Sequence, residues 1–135
     1  MDQVSLRSLL DNLIATWENE VVEFKRASID YDTNKIGEYF SALANEANLH
    51  NVECAWLVFG VHNTTLSVVG SNYCKDHDHL QRLKMNIKEG TQPKITFRNI
   101  YELLDPKGRV VLFEIPAAPI GIPISWKGHY YSRAG

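Results

Sequence analysis

The sequence predicts an α+β domain, with a mixed, mainly antiparallel sheet and two to three packed helices. Three observations carry this reading. Apolar residues recur at helical spacing in three segments, one short run is continuously apolar, and the second half is β-rich and punctuated by glycine and proline. The 135 residues, 44% of them hydrophobic, fit a single domain with its own core. Such a chain needs neither a disulfide framework nor a structural metal.

Leu6, Leu9, Leu10, Leu13 and Ile14 lie on one face of a helix that Asp2 or Ser5 caps and that fades near Thr16. Val21, Val22 and Phe24 form a short strand that includes Glu23. The polar segment 30–34 is a loop ending in a helix cap. Ile36, Tyr39, Phe40, Leu43, Ala44 and Ala47 then trace a second helix, broken at 48–51. The run 54–61 (CAWLVFGV) is short and β-rich, so it reads as a central strand buried on both faces. Asn63-Thr64-Thr65 turns the chain into a partner strand at 66–69. Leu80, Leu83 and Ile87 mark a third helix over 77–89, stopped by Gly90. The turn Asp105-Pro106-Lys107-Gly108 joins 95–104 to 110–115 as a hairpin. Pro116, Pro119 and Pro123 make the chain irregular beyond the hairpin, and 124–132 is a last, short edge strand.

The formal net charge is −2 and the isoelectric point is about 6.2. A nucleic-acid-binding domain is more often basic, although a local basic face is compatible with this balance. Cys54 and Cys74 make no zinc motif and no disulfide framework, which fits a reducing cytoplasm. No apolar run approaches ~18 residues, and Met1-Asp2-Gln3 does not begin a signal peptide. A cytoplasmic location with no membrane partner is the expectation.

Strand alternation puts Glu23 on one face with Val21 and Lys25, and Glu18 stands five residues earlier. Glu18 and Glu23 brought together could hold Mg²⁺ or Mn²⁺, which take hard oxygen ligands, and such a metal could activate water. The same carboxylates, with Glu20, also fit a solvated acidic corner. His62, at the C-terminal end of the buried run, is a third catalytic candidate. His77-Asp78-His79 matches no strong metal spacing and fits a polar helix start. The candidate nucleic-acid contacts are Lys25, Arg26, Lys84, Lys88, Arg98, Lys127 and Arg133, because cations interleaved with aromatics such as Tyr130 and Tyr131 suit phosphate contact and base stacking. Dispersed surface cations explain the same residues. A phosphate-binding loop, a nucleophile elbow and zinc-finger spacing are missing, which argues against ATP hydrolysis and serine-hydrolase chemistry.

Glu18–Lys25 (ENEVVEFK) resembles the Glu-x-x-x-x-Glu-Phe-Lys signature of the Schlafen/AlbA-like domain, once called a divergent AAA-type domain. Ala42-Leu43-Ala44-Asn45 is similar to its Ala-Phe-Ala-Asn helix end, and Val58-Phe59-Gly60-Val61 to its Ile-Gly-Val strand end. Ile122-Pro123 with residues 130–135 (YYSRAG) is similar to its closing Pro…Tyr-x-Arg-x-Gly element. The resemblance implies an α+β fold and a DNA-binding module at the N-terminus of a bacterial-type transcriptional regulator, with further C-terminal domains in the same chain. In animal relatives a similar core cleaves RNA with two glutamates and an aspartate. Those positions fall on Glu18, Glu23 and, in place of the aspartate, His62. A second departure is the glycine-free stretch 46–55, where the family has a Thr-x-Gly-Gly turn. Three functions stay open: a DNA- or RNA-binding module, a metal-dependent ribonuclease, and a protein-interaction or homo-oligomerisation module.

Overall fold

Among the described residues, each helix starts on an aspartate. Asp2, Asp32 and Asp76 accept the backbone N–H groups of Ser5, Asn34 and Asp78 at 2.8–2.9 Å, satisfying amides that have no partner within the helix. The three helices are α1 (Gln3–Ala15), α2 (Thr33–Leu49) and α3 (His77–Gly90). The strands are β1 (Val22–Lys25), β2 (Cys54–Phe59), β3 (Thr91–Gln92), β4 (Asn99–Asp105), β5 (Gly108–Pro116), β6 (Ser125–Trp126) and β7 (His129–Tyr130). A computed structural model describes residues 1–16 and 21–133.

The main sheet has the order β1-β2-β5-β4. Its β1–β2 pair is parallel and joined through α2, while β2–β5 and β4–β5 are antiparallel. This is the expected mixed, mainly antiparallel sheet. Register separates its two faces. Glu23, Leu57, Phe113 and Ile100 align across the four strands on one face, and Phe24, Val58, Leu112 and Tyr101 on the other. The first face receives α2 through an aromatic chain. Phe40 meets Phe97, Phe97 meets Phe113, and Phe113 meets Phe59, with centroids 5.0–5.1 Å apart. α1 covers the opposite face along β4, where Gln3 donates to the Glu102 carbonyl and accepts the Leu104 N–H. Arg7 pairs with Asp105 beside it. β2, buried throughout except at Cys54, is the central strand that its apolar run implied.

Two expectations need correction. Residues 66–69 do not form a strand. Both edges of β2 are taken, by β1 and β5, so β2 has no edge left for a further strand. The chain leaves β2 at Gly60, folds back, and makes one isolated bridge, Val61 to Val68. The Gly60 carbonyl then accepts both the Val69 and Gly70 N–H groups. The loop crosses the β4–β5 hairpin where Gly70 meets Gly108. A Cβ at Gly108 would come within 2.5 Å of the Gly70 Cα, and its φ of +145° also favours glycine.

Residues 124–132 likewise form no single edge strand. They make the small hairpin β6–β7, which joins β3 in a separate three-stranded sheet. Trp126 of this hairpin is wedged between helices. A Cβ at Gly37 of α2 or at Gly90 of α3 would occupy the space of its ring. Gly90 ends α3 as expected, and close approach to Trp126 is what requires a glycine there.

The C-terminal segment has little regular structure, and α2 holds it in place. Asn45 donates to the carbonyls of Ile124 and Tyr131, both at 3.1 Å, and accepts the Ile124 N–H at 2.8 Å. Ser41 donates to the Ile124 carbonyl and accepts the Tyr131 N–H. Replacing Asn45 with Ala leaves these backbone groups short of partners, so Asn45→Ala is expected to cost about 2–3 kcal/mol of unfolding free energy. A urea titration showing a loss within experimental error of zero would contradict this.

Candidate functional site

Glu23 and Lys25 alternate with the buried Val22 and Phe24, so both project from β1 towards α2. The Glu23 carboxylate accepts from the Arg133 guanidinium at 3.0 Å, with both side chains largely covered. Arg133 also donates to the outward-facing Val22 carbonyl, and its own backbone N–H reaches the buried Glu46. Lys25 lies over the Tyr39 ring, 5.1 Å from its centroid. Arg133 therefore ties the C-terminal segment to β1 and α2, and its charge faces Glu23 rather than open solvent.

Glu18 and Glu20 lie outside the described residues. Of the expected metal pair, the structure places Glu23, whose carboxylate is engaged by Arg133. Among the described residues no three His, Cys, Asp or Glu side chains gather as a metal cage. His62 follows the bend at Gly60, and its Nδ1 accepts the N–H groups of Thr64 and Thr65 at 3.1 and 3.3 Å. That bond fixes the ring as the organiser of a turn.

The candidate cations do not form one patch. Arg98 stands near Glu53 and Glu114. Lys84 and Lys88 lie one turn apart along α3, away from the face that carries His79 and Asn86. Lys127 lies over Trp126 and lines a cavity of about 650 Å³ with Asn34, Asn86 and Gln92. A second cavity of about 550 Å³ adjoins it, with Thr33 lining both. Ile29, Tyr31, Tyr73, Cys74, Lys75 and His79 line this second one. The two cavities run along α3 as one groove. Arg26, exposed, precedes Ala27, whose carbonyl accepts from Ser71 at 2.6 Å, one residue before the groove residue Asn72.

Sequence reasoning missed this groove and the residue that shapes it. Arg109, nearly buried, pairs with Glu102 at 2.7 Å. It also donates to the carbonyls of Ser71, Tyr73 and Cys74, fixing the loop that forms one wall. Arg109 follows a turn glycine and gives no local sign of this role, since the carbonyls it holds lie 35–38 residues away.

Tyr31 forms the opposite wall and packs edge-on against Phe59, with centroids 5.0 Å apart. Burial, then Tyr39 and the Glu23 carboxylate, push its phenol up to about 12 from the usual 10.0. Burial also raises Tyr73. A phenol whose pKa is higher folded than unfolded stabilises fully below pH 10, and that contribution is lost as pH rises towards 12. Tyr31→Phe is therefore expected to shallow the fall in Tm between pH 10 and 12, and identical slopes in the two proteins would refute it. At the other end of this cluster, Arg133→Ala leaves Glu23 and Val22 without their partner. It is expected to lose about 1–3 kcal/mol in chemical denaturation, with Arg133→Lys recovering only part because an ammonium lacks the planar fork.

The family model described as Schlafen, AlbA_2 matches residues 18–135. The N-terminal domain of an ATP-dependent DNA helicase RecG-related protein from Nitrosomonas europaea superposes with a TM-score of 0.58 and 22% identity, over 95% of this chain and 87% of that one. The DIP2311 protein from Corynebacterium diphtheriae superposes with a TM-score of 0.63 and 17% identity over 97% of this chain. This chain spans 25% of the length of that protein. No curated protein matches. Since the family match covers nearly the whole sequence and includes the motif residues Glu23, Asn45 and Arg133, the chain belongs to the Schlafen, AlbA_2 family.

Proposed function

We propose that this domain binds nucleic acid, as the DNA-contacting module of a larger transcriptional regulator. The observation that carries the reading is the groove along α3. Among the described residues, the side chains of Lys75 and Lys127 in the groove, and of the exposed Arg26 outside its lining, have no carboxylate partner, and those of Asn72, Asn86 and Gln92 have no hydrogen bond. Such groups suit a phosphate backbone and base edges. The carboxylates of Asp32 and Asp76, also in the groove, cap helix N-termini, where the helix dipole offsets their charge, while Glu89 lines the same cavity as Lys127. Family membership supports the reading, as does the name of the Nitrosomonas relative, a DNA helicase-related protein. The small share of the Corynebacterium protein that the fold occupies supports a setting among further domains.

A fluorescence anisotropy titration with labelled DNA and RNA tests this. Affinity is expected to fall about tenfold or more between low and physiological salt, as counterion release by a few phosphate contacts requires. Combined Arg26→Ala and Lys127→Ala should weaken binding and flatten the salt dependence. No binding of any nucleic acid at low salt by the folded domain would end the proposal.

One observation favours a second reading, contact with another copy or another domain. At the far end of α2, the exposed Leu49, Ile122 and Tyr130 line an uncharged cavity of about 420 Å³, and the exposed Ile120 precedes its lining residue Gly121. Contiguous exposed apolar surface of this kind marks an interaction site. Light scattering should then report a dimer that Ile122→Asp disperses, and a monomer at all concentrations would leave only a partner domain to cover the patch.

A further inference from the structure

We propose that the cavity between Tyr31 and the Tyr73-Cys74 loop seats one unpaired nucleobase, so that the groove takes a single strand in preference to a duplex; this rests on the nucleic-acid reading above. The cavity has the volume of a small-molecule site, and its chemistry changes with depth. Tyr31, Tyr73 and Cys74, buried or half-buried, make an apolar interior, and Ile29 adds an exposed apolar side chain at its mouth. Asn72, Lys75 and His79 stand at the rim, and their side chains make no hydrogen bond or ion pair among the described residues. A nucleobase has this same division, two apolar faces and a polar edge.

The site is preformed. Tyr73 packs against Phe59 at 5.2 Å, and the loop that carries it is held by the Arg109 guanidinium. Little ordering is therefore required when a flat ring enters. Ile29 is 70% exposed in an otherwise polar loop, and packing within the domain does not account for an isoleucine there. A base lying over Tyr31 would cover it.

From this cavity the groove continues past Thr33 to Lys127. The stretch of α3 from His79 to Glu89 that borders it is about 15 Å long, at ~1.5 Å per residue. A strand with one base in the Tyr31 cavity can run its backbone along this length. A duplex offers grooves and phosphates, and its base faces are stacked out of reach, so it cannot fill the cavity.

Anisotropy with a single-stranded oligonucleotide and a blunt duplex of the same length, each as DNA and as RNA, tests the proposal. The single strand is expected to bind about tenfold or more tightly than the duplex, in keeping with the contribution of one stacked base. Ile29→Asp, at an exposed position that leaves the fold intact, should remove most of that preference. Tyr31→Ala, checked by circular dichroism for folding, should do the same. A 2-aminopurine placed within the strand should lose fluorescence on binding to the wild type and not to Ile29→Asp. Equal or tighter duplex binding, or a preference that survives both substitutions, overturns the base-seating proposal and leaves nucleic-acid binding standing. If neither form binds, both readings fall.

Discussion

The Asn45 side chain organises the domain. Its amide and the neighbouring Ser41 hydroxyl hold two separate points of the C-terminal segment, at Ile124 and Tyr131. Between those points lies the β6–β7 hairpin, too short to order itself. Fixing its ends places Trp126 between Gly37 and Gly90, and this ring sets the spacing of α2 and α3. The groove is the space those two helices leave, and Lys127 is carried to its lower end by the same hairpin. A few polar contacts on one helix thus determine a surface assembled from three distant parts of the chain.

The motif residues that mark the family are, in the described part of the structure, mutually engaged. Glu23 meets Arg133, Arg133 meets Glu46 through its backbone, and Asn45 meets Tyr131. These residues hold β1, α2 and the closing segment together. Their recurrence as a pattern follows from that geometry without any chemistry having to be assigned to them. Surface cations such as Arg26 and Lys75 stand outside the pattern, where substitution leaves the fold untouched and binding preference can vary.

Much of the fold was legible in the sequence because the decisive signals are local. The spacing of Leu80, Leu83 and Ile87 marked α3, and the run from Cys54 marked β2. The strand expected at 66–69 failed for a reason no local pattern contains: β2 had already been paired on both sides. The candidate site was less legible. Arg133 read as a phosphate contact because its partner Glu23 lies 110 positions away. Tyr31, Tyr73 and Thr33 carried no signal as groove residues, since only the meeting of α2, α3 and the Arg109-held loop makes them neighbours.

Each free edge of the main sheet is partly covered by a side chain. On β4 the Gln3 amide pairs with Glu102 and Leu104 as a neighbouring strand would, and on β1 the Arg133 guanidinium occupies the Val22 carbonyl. An open edge beside apolar faces invites another chain to add a strand, which is a route to aggregation. Here the cover is provided by two residues from opposite ends of the described chain, each light enough to be withdrawn without dismantling the sheet. Shortened versions of the domain that lose either one would keep their core yet expose a sticky edge, so the proper limits of the folded unit are set by colloidal behaviour as much as by stability.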